Sequence, residues 1–165
     1  MKQVSILLGK SILKISQAIG RGTGSTWPGH AALKLDSNII SKILRKNSEL
    51  KVVLVAGTNG KTTTAKLIQE VLEQEGKKVF RNAAGANLLN GIASTLIKHA
   101  SLNGKLNYEV AIFEVDENSL PLILPELSHA CPGYPRGVNS HMSIVLLNLF
   151  RDQLDRYGEV NTIAK

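Results

Sequence analysis

A lysine and a threonine placed behind a glycine turn can grip phosphate, and one stretch of this chain supplies them. Residues Val52 to Ala56 are apolar, and they run into Gly57-Thr58-Asn59-Gly60-Lys61-Thr62-Thr63-Thr64. That is the order strand, phosphate loop, helix. Glycines let the backbone approach an anion closely, and the N–H groups of the loop and the helix start favour negative charge. Gly57, Thr58, Asn59, Gly60, Lys61, Thr62 and Thr63 are therefore the candidate nucleotide contacts. Lys61 would reach the outer phosphates of ATP, and Thr62 would present its hydroxyl to Mg²⁺. The common spacing G-x-x-x-x-G-K-[ST] would need glycine at position 55, where Val55 stands, so a shortened variant of the loop is the reading. The alternative is a solvated turn that happens to contain Gly-Lys-Thr.

Other chemistry-bearing residues follow apolar runs in the same way. Glu114 comes directly after Tyr108 to Phe113, which is expected to be a buried strand; a carboxylate there can hold Mg²⁺ directly or through water. Asp116 or Glu117 could instead cap a helix starting near Asn118. Asn82, Asn87 and Asn90 offer neutral hydrogen bonds near a strand's carboxyl end, the side on which open α/β sheets bind ligands; Asn87 could equally be a helix cap. Met142 to Leu147 is a further expected strand, and its end carries Asn148, Arg151, Asp152, Asp155 and Arg156. If Asp152 opens a helical turn, Asp152 and Asp155 share one side, and Arg151 and Arg156 could balance them or grip phosphate. Arg21, within Gly20 to Gly29, could bind an anion, and Trp27 could cover a ligand. Cys131 between His129 and His141 has metal-ligand chemistry but no recognisable spacing, and is read as part of a surface excursion.

These residues need elements to hold them. Leu8, Ile12, Ile15 and Ile19 recur at helical spacing over residues 4–19, predicting an amphipathic helix that packs on the neighbouring domain; a membrane-surface helix is the alternative. Gly20 to Gly29 reads as a loop. Ser37 is expected to cap a short helix with Ile39, Ile40, Ile43 and Leu44 inward. After the phosphate loop, Ala65, Ile68, Val71 and Leu72 mark one helix face, which Gly76 ends. Lys78 to Arg81 is a short strand, and a helix with Leu88, Leu89, Ile92, Leu96 and Ile97 inward follows. Strands interleaved with helices predict an α/β fold: a P-loop-type, mostly parallel sheet flanked by helices. Residues 1–50 are expected to form a helical and Gly-rich segment packing on the central domain, and residues 51–165 the front part of that ATP-binding domain.

Composition narrows the class. The chain has 165 residues, 43% of them hydrophobic, enough for one real core and unlike a disordered chain. Its net charge of +7 suits phosphorylated small substrates, nucleic acid or anionic lipid. The lysines are scattered and aromatics are few, so no nucleic-acid stacking platform is expected. Cys131 is the single cysteine, which excludes an internal disulfide and fits a reducing cytoplasm. Val4 to Leu8 is too short an apolar stretch for a secretory leader, and no run approaches a membrane span.

The residues together serve phosphoryl transfer, either hydrolysis coupled to motion or transfer to an acceptor. With a carboxylate acceptor an acyl phosphate forms, and an amine can displace phosphate. Neutralising the transferring group is the main electrostatic demand.

At this point a family resemblance becomes specific. Gly57 to Thr64 resembles the ATP loop of the Mur ligase superfamily, which includes folylpolyglutamate synthases. Asn82, Gly85 to Gly91, Phe113 to Glu117 and Asn148 to Glu159, with Gly20 to Gly24 and Pro28-Gly29, resemble the MurT family within it, from about residue 5 onward. The resemblance implies the synthetase subunit of a lipid II isoglutaminyl synthase. Such a subunit would use ATP and Mg²⁺ to activate the α-carboxylate of D-glutamate in lipid II. It would take ammonia from a GatD-like glutaminase partner, at the inner face of the cytoplasmic membrane. It carries over Lys61 and Thr62 as phosphate and Mg²⁺ contacts, Glu114 as a Mg²⁺-associated carboxylate, and Asn148 and Asp152 as part of the active-site face. Mur ligases usually have His beside that Asp; Gln153 stands here, as the MurT pattern expects. The family's four-cysteine zinc ribbon and C-terminal domain are not in this sequence, and Cys131 to Arg136 looks like an insertion. The expectation is the front part of a larger enzyme, unable to complete amidation alone. Folylpolyglutamate synthase-like ligation, Mur-type amino acid ligation and non-catalytic nucleotide binding are the competing functions.

Overall fold

The computed structural model describes residues 6–11, 26–82, 85–128 and 142–148. Arg21, Cys131, Arg151, Asp152, Asp155 and Arg156, the residues 129–141, and most of the expected N-terminal helix lie outside the described residues.

Four strands make one sheet: β1 (Lys51–Ala56), β2 (Val79–Arg81), β3 (Val110–Val115) and β4 (Met142–Leu146). Their order is β2-β3-β1-β4 and every pair is parallel. The helices are α1 (Trp27–Leu35), α2 (Ile39–Lys46), α3 (Lys61–Gln74), α4 (Leu89–His99) and α5 (Leu120–Ser128), with a 3₁₀ turn at Glu117–Ser119. Residues 6–11 are also helical. The architecture is thus the parallel α/β sheet flanked by helices that the sequence predicts.

Strand alternation divides the core. Val52 and Leu54 of β1, Phe80 of β2, and Ala111, Phe113 and Val115 of β3 join α1, α2, α4 and α5 in the larger cluster. Val55, Val79, Val110 and Ile112 face the other way, against Ala65 of α3, with Ile68 and Leu72 packed alongside. A parallel sheet covered on both faces must read as an unbroken apolar run, which is why Val52 to Ala56 carries no polar residue. The same period of two puts Glu114 on the α3 face, in line with Val110 and Ile112.

Several local expectations are corrected. The loop read over Gly20 to Gly29 already turns helical at Trp27; Pro28 sits in the first turn, where a missing N–H costs nothing. Ser37 does not cap α2. Asn38 holds that place without a side-chain cap bond, and Asp36 instead accepts from the Asn38 N–H and pairs with Lys42 at 2.6 Å. In residues 6–11 it is Ile6 that is buried, and Leu8 is exposed. Val71 and Leu88 are exposed too, because α3 meets the sheet along a narrow stripe and Leu88 stands at the N-cap of α4. Gly76 does end α3: at φ 79° it closes a Schellman pair, with Gly76 N–H on Glu73 O and Lys77 N–H on Leu72 O. Glu114 lies inside β3 rather than past its end.

Candidate functional site

β1 runs between β3 and β4, and their ends are level, with Ala56 opposite Val115 on one side and Leu146 on the other. The turn after β1 therefore sits beside Asp116 and Asn148. Gly57 adopts φ 146° and Gly60 φ 83°, conformations that side chains disfavour. A Cβ on Gly57 would also lie 3.0 Å from the Asn148 carbonyl oxygen. Asn148 holds the turn in place. Its backbone oxygen accepts from Thr58 N–H at 2.9 Å and its Oδ1 from Asn59 N–H at 3.0 Å, while its Nδ2 donates to Asn59 O at 3.1 Å.

Gly60 is the N-cap of α3, so Lys61 opens the helix. The Lys61 ammonium curls back over the turn, donating to Gly57 O and to Thr58 O at 3.2 Å. It lies 3.5 Å from Asp116 Oδ1, which in turn accepts from Asn87 Nδ2 at 2.5 Å. A cation thus stands at the mouth of the loop, with a carboxylate keeping it there.

One residue on, Thr62 Oγ1 donates to Glu114 Oε2 at 2.6 Å. The other oxygen of Glu114 accepts from Arg81 Nη1 at 3.2 Å, and Arg81 Nε donates to Gln69 Oε1 at 2.9 Å. Glu114 is buried and Arg81 only partly so; the guanidinium offsets the cost of sheltering the carboxylate. Asn82, fully buried, pins the strand end. Its Oδ1 accepts from Glu114 N–H at 2.8 Å, and its Nδ2 donates to Glu114 O at 2.9 Å and Ala86 O at 2.6 Å. Asn82 therefore spends its amide on positioning Glu114.

On the far side of the turn, Thr58 Oγ1 donates to Glu117 Oε1 at 3.1 Å. A cavity of about 400 Å³ opens there, lined by Gly57, Glu117, Leu120, Leu146, Leu147 and Asn148, among others. Glu117 Oε2, Asn118 Nδ2 and Asn90 Oδ1 are buried without a hydrogen-bond partner among the described residues.

Of the residues singled out in the sequence, the structure gathers Gly57 to Thr63, Glu114, Asn82, Asn87 and Asn148 around the strand ends. Asn90 is on α4, and Asn87 reaches Asp116 instead of capping that helix. Asp116 and Glu117, expected as caps, make no side-chain cap bond in the 3₁₀ turn and face the loop. Arg81 and Gln69 were not legible as site residues. Arg81 pairs with Ile112 in register, two residues before Glu114; only the strand pairing reveals that closeness.

Residues 55–165 match the Mur ligase middle domain. The chain is similar to the lipid II isoglutaminyl synthase (glutamine-hydrolyzing) subunit MurT of Staphylococcus aureus, with 34% identity over 160 residues, 97% of this chain and 32% of that protein. The subunit of the same name from Streptococcus pneumoniae is 36% identical over 159 residues, 96% of this chain and 31% of that protein. A UDP-N-acetylmuramoylalanine–D-glutamate ligase of Wolbachia pipientis is 33% identical over 132 residues, 79% of this chain and 21% of that protein. The chain spans about a third of the length of the MurT relatives it matches. Among solved structures, the MurF ligase of Thermotoga maritima in complex with ADP shares the fold, with a TM-score of 0.54 and 24% identity over 81% of this chain and 27% of that one. With the loop, its carboxylates and the matched domain in one place, this chain belongs to the Mur ligase family and carries sequence of its middle domain.

Proposed function

We propose that this chain is the nucleotide-binding part of an ATP-dependent ligase of the MurT type, which amidates the α-carboxylate of D-glutamate in lipid II. The observation that carries this reading is the convergence of Lys61 at the loop mouth and the Thr62–Glu114 pair at 2.6 Å beneath it. The likeness to MurT subunits over 97% of the chain supports glutamine as the source of ammonia and a GatD-like glutaminase as partner.

ATP phosphates settle on the loop, and Lys61 exchanges its bonds to the Gly57 and Thr58 carbonyls for phosphate oxygens while Asp116 keeps it near. The Thr62 hydroxyl and Glu114 fit Mg²⁺: both are hard oxygen donors. An ion held by these two donors would take its other ligands from phosphate and water. When bound, it neutralises phosphate charge. Transfer of the γ-phosphoryl group to the acceptor carboxylate leaves ADP and an acyl phosphate. Ammonia then attacks the acyl carbon, phosphate departs, and the amide remains. Asn87 and Asn90 are assigned to the acceptor side, while Asn148 holds the loop. Arg21 and Arg151 are proposed as further acceptor contacts, and Asp152, with Lys61 and Glu114, as a catalytic residue.

The test is an amidation assay with the full-length protein, its glutaminase partner, ATP, glutamine and lipid II, read by mass spectrometry. Isoglutaminyl product that requires both subunits is expected, and this 165-residue chain alone should give none. A second reading, amino acid ligation, draws on the likeness to the D-glutamate ligase. Turnover of a nucleotide-linked muramyl peptide with a free amino acid, and none with ammonia, would select it.

A further inference from the structure

Three carboxylates stand around the phosphate loop, and two of them face cations. Glu114 meets Arg81 at 3.2 Å, and Asp116 meets Lys61 at 3.5 Å. Glu117 has no ion pair among the described residues. It is 6% exposed; its Oε1 accepts from the Thr58 hydroxyl at 3.1 Å, and its Oε2 is buried without a hydrogen-bond partner. A sheltered charge is normally paired, so this carboxylate is built for something that the chain itself does not supply. Its position is fixed from both ends. The 3₁₀ turn closes on Ser119 N–H to Asp116 O at 2.8 Å, and Thr58 ties the side chain to the loop. Glu117 also lines the cavity of about 400 Å³ that Gly57 and Asn148 share with Leu120, Leu146 and Leu147. Among the described residues it is the one charged group on that wall, and Gly57 belongs to both the wall and the loop. A ligand of Glu117 would therefore sit next to the transferring phosphate.

We infer that Glu117 is the seat of the nitrogen nucleophile: it holds ammonia, or the ammonium in equilibrium with it, and takes the proton that nitrogen sheds. The inference rests on the amidation reading above. One free carboxylate oxygen on a largely leucine-lined wall suits a small donor that carries or develops a single positive charge, whereas a divalent metal asks for several hard oxygen ligands. As the nitrogen lone pair forms its bond to the acyl carbon, the nitrogen becomes positive and acidic. Glu117 neutralises that charge and accepts the proton as a general base. The bond from the acyl carbon to the phosphate oxygen then breaks, and Glu117 returns the proton to the departing phosphate. Ammonia and acyl phosphate thus become amide and hydrogen phosphate, with Glu117 restored. Ammonia released from glutamine and ammonia free in solution share this chemistry.

Amidation of lipid II by the full-length protein with its glutaminase partner tests this, with nitrogen supplied as ammonium chloride in one arm and as glutamine in the other. In Glu117→Gln, which keeps the shape and an acceptor for Thr58, KM for ammonium should rise at least about tenfold. KM for ATP should stay within about twofold of the parent's. In the glutamine arm, glutamine hydrolysis should continue while less amide forms per glutamine consumed. Glu117→Asp keeps the charge and should retain more ammonium use than Glu117→Gln; a merely structural role would favour the isosteric Gln instead. Loss in both arms seats ammonia from either source at Glu117, and loss with ammonium chloride alone restricts the seat to free ammonia. An unchanged ammonium KM in Glu117→Gln, an Asp variant worse than the Gln variant, or a defect confined to the Mg²⁺ dependence would overturn the inference and leave the ligase reading standing. Absence of amidation by the parent protein from either nitrogen source would remove that reading, and this inference with it.

Discussion

Among the described residues, Lys61 is held by backbone carbonyls and one carboxylate 3.5 Å away, contacts that a phosphate can replace. Replacing it with methionine keeps the stem and removes the charge. We expect nucleotide affinity to fall roughly 10- to 100-fold, the worth of one charge-assisted hydrogen bond, with the fold unchanged; calorimetric titration with a non-hydrolysable ATP analogue reads this, and equal affinity would contradict the role. Arg81 makes a different case. Its guanidinium neutralises a buried Glu114, so Arg81→Met leaves a sheltered carboxylate uncompensated and should cost about 3 kcal/mol in urea unfolding. Arg81→Met/Glu114→Gln should recover much of that loss, since no charge is left stranded. At this scale the sequence was generous with the loop and poor with its supports. Gly57, Gly60, Lys61 and Thr62 announce themselves by type and spacing. Arg81, Gln69 and the loop-facing role of Asp116 depend on which strands pair, and no local pattern encodes that.

Helix contacts were legible where apolar spacing decides them and hidden where a small residue does. Gly29 reads as part of a loop, yet it is the point where α1 meets α4: a Cβ there would lie 1.9 Å from Asn90 O and 2.6 Å from Ser94 N, both backbone atoms that cannot step aside. Its own N–H donates to Ser94 Oγ at 2.7 Å. Gly29→Ala should therefore destabilise by about 3 kcal/mol, the upper range for overpacking, measured by thermal or urea unfolding; a neutral outcome would mean that the two helices do not cross there. The end of α4 carries a pH dependence. His99 stacks on Phe80 at 4.6 Å and its Nδ1 lies 3.0 Å from Tyr108 Oη. Burial, then Lys98 and Lys10, lower its pKa from 6.5 to about 4. The native state thus binds fewer protons than the unfolded one across that interval. Its contribution is complete above pH 6.5 and is lost as the pH falls towards 4. With the ring half-exposed and screened, we expect roughly 1–2 kcal/mol. Unfolding at pH 7 and pH 5 should show the difference, and His99→Phe should flatten it. Glu109 is held below its usual carboxylate range by the Lys78 N–H and then by Lys77, so it stays ionised in the native state at both pH 7 and pH 5.

For the molecule as a whole, the alternation of apolar runs and helical stripes sufficed to foresee a parallel sheet flanked by helices. It could not foresee the order β2-β3-β1-β4, which depends on crossovers that no single segment records. That order matters because it sets β4 against β1 and so delivers Asn148 to the phosphate loop. The clamp has a consequence for solvent exchange. Thr58 and Asn59 already give their N–H groups to Asn148, so those amides are closed to a phosphate. Lys61, Thr62 and Thr63 open α3, and helix-start amides have no partner within the helix. In deuterated buffer the loop should therefore label in two classes. Thr58 and Asn59 should exchange slowly from the outset and change little when nucleotide is added. Lys61 to Thr63 should exchange within the dead time and become protected only with nucleotide bound. Protection that instead spreads evenly from Thr58 to Thr63 would mean that Asn148 lets go of the loop when the phosphates arrive.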